Sequence, residues 1–355
     1  MAAPANNLGI TTIGIPAPGT EGNREDLLDA VINLDKQKKA AVFLALPKTT
    51  ANGMNHEYLI DNLPATSTAG NLEGGDWSGS AGQARTRLAN AVQTFRRDFS
   101  VSLDQVEYSR KGMTPGVADE YQHQVELFLL ATEQSIDARI VAAGTTVASV
   151  TASASAVLAL MGGIRNWQIT ATSASLQTAA TADVGLSVGG AWSRSKFLQL
   201  HEQMFTLGAD PDTLAVDPGV KADISADILG EIATATGQPA NASAIYGTPA
   251  VVRQQYINSS TAEWTQDIQF LRSDYGRVAV LIDRFIPQAA TATNSLAGGA
   301  AFLFDRSKLR IAFWRPLRHY PLPPTGDAIK GYVHTGVTLE NLHPNTVGVL
   351  YNITT

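Results

Sequence analysis

The segment TPGVADEYQHQVELFLLATEQSIDARIVAAG, Thr114 to Gly144, carries the longest uninterrupted helical pattern in the chain. Its apolar residues recur at steps of three and four, which places them on one stripe of a helix. Thr114 can cap the first turn, Pro115 suits the first helical position, and Gly144 can end the helix. The segment predicts one long helix of roughly 40 Å with one buried face. That face consists of Tyr121, Val125, Phe128, Leu129, Ile136 and Ile140.

The composition describes an acidic protein with few charges. The 355 residues carry a formal net charge of −6, and only 16% of them are charged. A surface so poor in charge must be covered by small residues, which suits burial between subunits, and its acidic balance argues against a protein that wraps nucleic acid. Because the chain has no cysteine, disulfides, thiolate metal sites and cysteine nucleophiles are excluded.

The first 22 residues are small, polar and interrupted by Pro and Gly, so they predict an extended arm. The next segment, Asn23 to Leu34, predicts a short helix with Asn23 as its cap. The N-terminus lacks the pattern of a signal peptide, and no run reaches the roughly 20 apolar residues of a membrane span. We therefore expect assembly in the cytoplasm and no membrane partner.

The following region predicts a hairpin with an unusually long tip. Ala41 to Leu46 is expected to be a buried strand, and His56 to Leu63 and Thr86 to Leu103 are expected to be strands that flank the tip. The tip, Pro64 to Ala84, is rich in Gly and Ser and has almost no large apolar residue. Because hairpin loops usually have two to five residues, we expect a tip of about 20 to reach outside its own subunit.

The second half predicts an α+β fold. Helices are expected at Ser195–Leu207 and Pro218–Ile228, with a strand at Thr213–Val216 between them. The last hundred residues are the richest in β-branched and aromatic residues. They predict strands at Ile268–Leu271, Arg277–Ile282, Ala301–Phe304, Leu309–Trp314, Lys330–Leu339 and Val347–Ile353.

One pattern could carry chemistry. Gly185-Leu186-Ser187-Val188-Gly189 matches the G-x-S-x-G of a nucleophile elbow, and Asp283 and His319 follow in the order of such hydrolases. The elbow needs an apolar strand before it and a helix after it, and the residues before Gly185 form a poor buried strand. A serine hydrolase based on Ser187 remains the alternative from another functional class.

Other candidate sites are weaker. His201-Glu202 begins an H-E-x-x-H zinc motif, but Phe205 occupies the position of the second histidine. The remaining histidines are scattered: His56, His123, His319, His334 and His343. Four arginines near the hairpin could bind phosphate, but a solvated or subunit-contacting face is the simpler interpretation; they are Arg85, Arg87, Arg96 and Arg97. We predict no catalytic, cofactor-binding or metal-binding residues, no cofactor and no enzymatic activity.

Several segments resemble a family of phage major capsid proteins once catalogued only as a domain of unknown function. The similar segments are NREDLLDAVINL from Asn23, HEYLIDNLPATSTAGNLEGGDW from His56, RTRLANAVQTFRRDFSVS from Arg85, LMGGIRNW from Leu160, MFTLGADPDTLAVDPGVKADIS from Met204, DYGRVAVLIDRFIP from Asp274 and the run from Ala301 to Ile353. They cover nearly the whole chain in order. The most specific part is the C-terminal run, in which TGD, a short basic strand, TLE and HPN-T-V-G follow one another.

The resemblance implies an α+β fold of the Hong Kong 97 type and a mechanical function. It implies an N-terminal arm (1–35), an extended hairpin called the E-loop (36–103), a spine helix with part of the peripheral domain (104–194), a mainly axial domain (195–300) and the C-terminal strands of the peripheral domain (301–355). Pentamers and hexamers would close into an icosahedral shell, the virion capsid, around double-stranded DNA held by weak, non-specific contacts. Scaffold, portal and decoration proteins are further partners that the resemblance implies.

Two questions remain open at this level. Some proteins of this fold link Lys to Asn between subunits; Lys48, Asn345 and Asn352 are the residues available, but no specific motif surrounds them, so we expect a shell without covalent links. An encapsulin-like nanocompartment, which holds enzymes instead of DNA, is the alternative within the same fold.

Overall fold

The computed structural model describes residues 39–61, 63, 68, 73–75, 85–104, 120–142, 160–164, 185–225, 257–258, 263–264, 269–286, 299–324 and 326–353. The predicted arm, the helix at Asn23–Leu34, the helix cap at Thr114 and Pro115, and most of the hairpin tip lie outside these residues.

The described residues alternate between short helices and longer strands. The helices are α1 (Ala41–Ala45), α2 (Glu120–Ile140) and α3 (Arg194–Thr206), and residues 218–225 are also helical. The strands are β1 (Lys48–Thr50), β2 (Asn55–Ile60), β3 (Thr86–Ala91), β4 (Gln93–Ser102), β5 (Gly185–Gly190), β6 (Thr213–Val216), β7 (Ile257–Asn258), β8 (Glu263–Trp264), β9 (Phe270–Ser273), β10 (Gly276–Ile282), β11 (Gly299–Phe304), β12 (Leu309–Leu322), β13 (Ala328–Asn341) and β14 (Val347–Ile353).

The long helix α2 lies on a four-stranded sheet of order β1-β12-β13-β4. The predicted apolar stripe is confirmed, because Ile136 and Ile140 are fully buried and Phe99 on β4 contacts the rings of Tyr121 and Phe128 at 5.3 and 5.1 Å. The same helix also packs on β13, whose residues lie more than 180 positions further along the chain.

The helix ends at Ile140, before the predicted stop at Gly144. The segment 160–164 lies against its last turn, where the Nε of Arg139 donates to the Met161 carbonyl at 3.0 Å. At Gly163 an added Cβ would lie only 2.5 Å from the Ile140 carbonyl oxygen. The end of the helix is therefore set by this tertiary contact and by the absence of a side chain at Gly163.

A second sheet of six strands, in the order β5-β14-β11-β6-β10-β9, contains the centre of the core. Every residue of β11 is buried. Phe302 and Phe304 pack with the end of α2 and with the four-stranded sheet, whereas Ala301 and Leu303 pack with α3 and the helical residues 218–225. Because both faces of β11 are covered, its sequence is continuously apolar.

The prediction of a buried strand at Ala41–Leu46 was wrong, because the segment forms the one-turn helix α1. Its alanine and leucine residues favour a helix, and the Phe43 amide donates to the side chain of Asp137 at 2.7 Å. Burial also follows a helical pattern, with Val42 and Phe43 buried side by side and Leu44 exposed.

The strand predicted at Thr86–Leu103 is two strands in two different sheets. β3 pairs with β2 in the hairpin, whereas β4 pairs antiparallel with β13. The break lies at Val92, whose side chain is buried and whose amide donates to Met54. The predicted alternation in the second half is confirmed, since Phe99 and Val101 are buried while Asp98 and Ser100 are exposed.

The other strand and helix predictions in the second half are largely confirmed. β6 and β14 have the predicted bounds, and α3 differs from its prediction by one residue at each end. β12 continues well beyond its predicted end, to Leu322, and β13 extends two residues beyond each predicted end, because each is the antiparallel partner of the other.

Gly331 is the position at which the spine helix approaches the sheet most closely. A Cβ there would lie 2.5 Å from the hydroxyl of Tyr121 and 2.8 Å from the Nε2 of His319. We expect Gly331→Ala to lower the free energy of unfolding by about 3 kcal/mol, the cost of overpacking a filled site. Urea-induced unfolding of the unassembled chain measures the change.

Gly190→Ala is the control, because an added Cβ at Gly190 meets no atom within 4 Å. Equal stability of the Gly331→Ala variant and the wild type would contradict this description of the helix-on-sheet contact.

Candidate assembly surfaces

The four-stranded sheet has one face against α2 and another that is rich in cations. Residues paired directly across antiparallel strands share a face, and the register aligns Arg96 with His334 and Arg318, and Asp98 with Tyr332 and Tyr320. We call this surface the basic sheet face. It consists of Arg96, Asp98, Arg315, Arg318, Tyr320, Lys330, Tyr332 and His334.

Aromatic and charged side chains order the basic sheet face. The rings of Tyr320 and Tyr332 stack at 5.2 Å with an interplanar angle of 18°, and the Arg96 guanidinium lies 4.8 Å from the Tyr332 ring centroid. Burial lowers the pKa of His334, and the positive charges of Arg315 and Arg96 lower it further, so His334 is neutral at pH 7. The side chains of Arg96 and Asp98 are 56% and 61% exposed, which leaves them accessible to a partner.

The hairpin stem consists of β2 and β3, which pair antiparallel from Asn55–Ala91 to Ile60–Thr86. Two of the predicted arginines pair across it: Arg87 lies 3.2 Å from Glu57, and Arg85 lies 3.5 Å from Asp61. These ion pairs are exposed and contribute little stability. Beyond the stem, the sequence of the hairpin tip, residues 64–84, carries Glu73 and Asp76 and no lysine or arginine.

Asn90 anchors the hairpin stem to the rest of the subunit. Its amide nitrogen donates to the carbonyls of Leu339 at 2.7 Å and Gly162 at 3.1 Å, and its oxygen accepts from the Gly162 amide at 2.9 Å. The residue is 1% exposed. One side chain therefore joins β3, β13 and the segment 160–164 in a buried network with its bonds satisfied.

The three residues of the hydrolase pattern lie in separate environments. Ser187 is exposed on β5, the edge strand of the six-stranded sheet, and its Oγ lies 3.4 Å from the Asn352 side chain. Asp283 is buried at the end of β10 and accepts from the Phe285 amide, whereas the Nε2 of His319 lies 2.8 Å from the Tyr121 hydroxyl. Gly185–Gly190 is itself a strand, not a turn between a strand and a helix, so no nucleophile elbow forms.

Most of the other candidate residues named in the sequence analysis contact a group elsewhere in the fold. His201 is buried with its Nδ1 2.9 Å from Ser273 Oγ, His56 lies 3.5 Å from Glu340, and His343 accepts from the Asn345 amide. His123 is half-buried on α2. Arg97 donates to Ser135, and Lys48 lies 4.7 Å from the Phe43 ring centroid.

The part of the chain that the structure describes contains neither a metal-binding cluster nor a membrane-spanning helix. No group of three or more His, Asp or Glu residues there could hold a metal ion. No helix there combines the length and apolarity that crossing a membrane requires. Whether subunits are covalently linked stays a prediction.

Sequence reasoning missed the anchoring role of Asn90 and the place of Asp137. Asp137 offered a signal, because it lies between Ile136 and Ile140 near the buried stripe, where an ordinary surface carboxylate is not expected. Asn90 offered a weaker signal, because an asparagine between small apolar residues can also be exposed.

Solved structures with this architecture are shell proteins. The chain is similar to the capsid of a native GTA particle computed with C5 symmetry, with 12% identity, a TM-score of 0.59 and coverage of 97% of this chain and 100% of that chain. It is similar to the Mycobacterium phage Bobi structure with 12% identity, a TM-score of 0.54 and coverage of 93% and 95%. The holo-SrpI encapsulin complex from Synechococcus elongatus PCC 7942 matches with 9% identity, a TM-score of 0.54 and coverage of 93% of each chain.

The spine helix on its sheet, the hairpin stem and these likenesses define the fold class, an α+β fold of the Hong Kong 97 type. The model of the SU10 major capsid protein family matches residues 9–354, and the chain belongs to that family. Its role is to form a phage capsid shell. A comparison with curated proteins finds no significant match.

Removal of the Asn90 side chain should destabilise the subunit. Asn90→Ala leaves two buried carbonyls and one buried amide without their partner, so we expect the free energy of unfolding to fall by about 3 kcal/mol. Urea-induced unfolding of the unassembled chain is the measurement. Asn55→Ala, at an exposed position of the same hairpin, is the control; if both variants lose the same stability, Asn90 is not the anchor.

Proposed function

We propose that many copies of this chain close into an icosahedral shell, built from pentamers and hexamers, around the double-stranded DNA of a tailed phage. The observation that carries the proposal is the family match over residues 9–354. The similarity to a capsid computed with C5 symmetry supports pentamers. Assembly would take place in the host cytoplasm, and the mature location would be the virion.

We propose that the subunit is divided as the resemblance implies, into an arm (1–35), an E-loop hairpin (36–103), a spine helix with part of the peripheral domain (104–194), a mainly axial domain (195–300) and C-terminal strands (301–355). The hairpin stem and the spine helix fall within the second and third of these ranges. The arm and the hairpin tip would extend onto neighbouring copies.

Charge complementarity supports a specific contact between copies. The basic sheet face carries three arginines and one lysine against a single carboxylate, Asp98, whereas the hairpin tip, residues 64–84, carries two carboxylates and no cation. A chain of net charge −6 repels its own copies unless opposite charges meet at the contacts. We infer that the acidic hairpin tip of one copy binds the basic sheet face of the next.

The proposed function is mechanical and needs no catalysis. The residues of the hydrolase pattern are held by separate partners, and this supports the absence of enzymatic activity. The net negative charge supports weak, non-specific contact with the packaged DNA, which must later leave the shell. Scaffold, portal and decoration proteins would be further partners.

A nanocompartment is the second candidate, because the SrpI encapsulin has the same fold. The family match favours the phage capsid. Particles isolated from their natural source separate the two functions, since nucleic acid inside them supports a phage capsid and enzyme cargo supports a nanocompartment.

Charge reversal tests the contact between copies. We expect Arg96→Glu combined with Arg318→Glu to raise the concentration of unassembled subunit by roughly tenfold, since like charges would then face each other across the contact. Analytical ultracentrifugation at low and moderate salt measures the unassembled fraction. Adding Glu73→Lys and Asp76→Lys, the two carboxylates of the tip, to the same chain should restore assembly.

The control is Lys196→Glu on α3, which reverses one half-buried cation that lies away from the basic sheet face. If the control impairs assembly as much as the double variant, or if the reversed hairpin charges fail to restore assembly, the proposed pairing of tip and face is wrong.

A further inference from the structure

Two buried carboxyl groups meet beneath the spine helix. Asp137 on α2 and Asp283 at the end of β10 are both 0% exposed, and each carboxyl group acts on the pKa of the other. The Oδ1 of each accepts from a backbone amide, that of Phe43 at 2.7 Å for Asp137 and that of Phe285 at 2.9 Å for Asp283. Among the described residues, the Oδ2 of each carboxyl has no hydrogen-bond partner.

A hydrogen bond between the two carboxyls would require a proton. Ionised carboxylates only accept hydrogen bonds, so two of them in contact repel each other and leave both Oδ2 atoms unsatisfied. One shared proton removes one charge and supplies the missing donor. The geometry therefore describes a pair that holds a proton when the chain is folded.

No cation is among the groups that shift the pKa of either carboxyl. The charged side chains on the segments that meet here are Lys39, Glu133, Arg139, Asp217, Lys221 and Arg284. Lys39 and Arg284 are exposed, the Nε of Arg139 donates to Met161, and Asp217 accepts from the amides of Gly219 and Val220. Burial and then the charge of Asp283 raise the pKa of Asp137 to about 8, and burial also raises the pKa of Asp283.

The pair connects three separate parts of the chain. Asp137 belongs to the spine helix, and it accepts hydrogen bonds from the amides of Ala41 and Phe43 in α1, at the base of the hairpin region. Asp283 follows β10, and its own amide donates to the Val216 carbonyl on β6. Repulsion between the two carboxylates would act on all of these segments at once.

We propose that Asp137 and Asp283 form one proton-binding site that fixes α1, the spine helix and the end of β10 to one another, and that loss of the proton loosens this junction. The proposal goes beyond shell formation, because it concerns a property of the single folded subunit.

The sign of the pH effect follows from the direction of the pKa shifts. The unfolded chain releases both protons near the ordinary aspartate range, about pH 4, whereas the folded chain keeps one up to about pH 8. The stabilisation from this site is therefore complete below the pKa that the aspartates have in the unfolded chain, and it is lost as the pH rises towards 8. Burial lowers the pKa of His201. The stability that neutral His201 contributes is therefore lost as the pH falls, whereas the stability from the aspartate pair is lost as the pH rises.

Asp137→Asn tests the proposal, because asparagine supplies a permanent N–H donor in the same shape. We compare the unfolding equilibrium constant of the wild type with that of the variant between pH 5 and 8. We expect the ratio of the two constants to rise by about tenfold for each pH unit, because the folded wild type binds one more proton than its unfolded chain. Urea-induced unfolding of the unassembled chain across this range gives the ratio. Parallel pH profiles for the two chains would overturn the proposal.

Two further measurements keep the test independent of one variant. Asp283→Asn should reproduce the same pH-dependent gain, whereas Glu133→Gln, one turn earlier on the spine helix, should leave the profile of the wild type unchanged. Infrared spectroscopy of the wild type should detect a protonated carboxyl group at pH 7 that both asparagine variants lack; absence of that band in the wild type would also overturn the proposal. Because these measurements use unassembled subunit, their failure would leave the shell function untouched.

Discussion

The close approach of the spine helix to β13 is the contact on which the rest of the subunit depends. At Gly331 the sheet offers no side chain, so Tyr121 and His319 fill the space and hydrogen-bond to each other at 2.8 Å. With the helix in this position, its last turns reach the core of the six-stranded sheet through Ile136 and Ile140. One helix therefore fixes the relation between the two sheets.

The same framework leaves the assembly surfaces free. Because α2 covers one face of the four-stranded sheet, the other face can present arginines and stacked tyrosines without a cost in core packing. Asn90 holds the hairpin stem to this framework through buried hydrogen bonds, so the stem has a fixed base. Rigid bases with extended tips suit a shell, whose copies must make similar contacts in slightly different surroundings.

Much of the secondary structure could be predicted from local sequence patterns, but most of the strand pairing could not. Periodicity located α2, and β-branched and aromatic composition located β6 and β14 with their observed bounds. The pattern could not show that the chain changes sheets at Val92, because that break depends on a distant partner strand. The resemblance supplied the shell function, but neither it nor periodicity indicated that Asp137 and Asp283, 146 positions apart in the sequence, share a buried site.

The central claim is that copies of this chain close into a shell through their hairpins and sheets. Cryo-electron microscopy of particles purified from their natural source or assembled from the purified chain tests it most directly. The account predicts closed icosahedral particles in which the hairpin tip of each copy lies on the basic sheet face of a neighbour. A chain that stays a small, monodisperse species under all assembly conditions, or a shell whose hairpins contact no neighbouring copy, would contradict it.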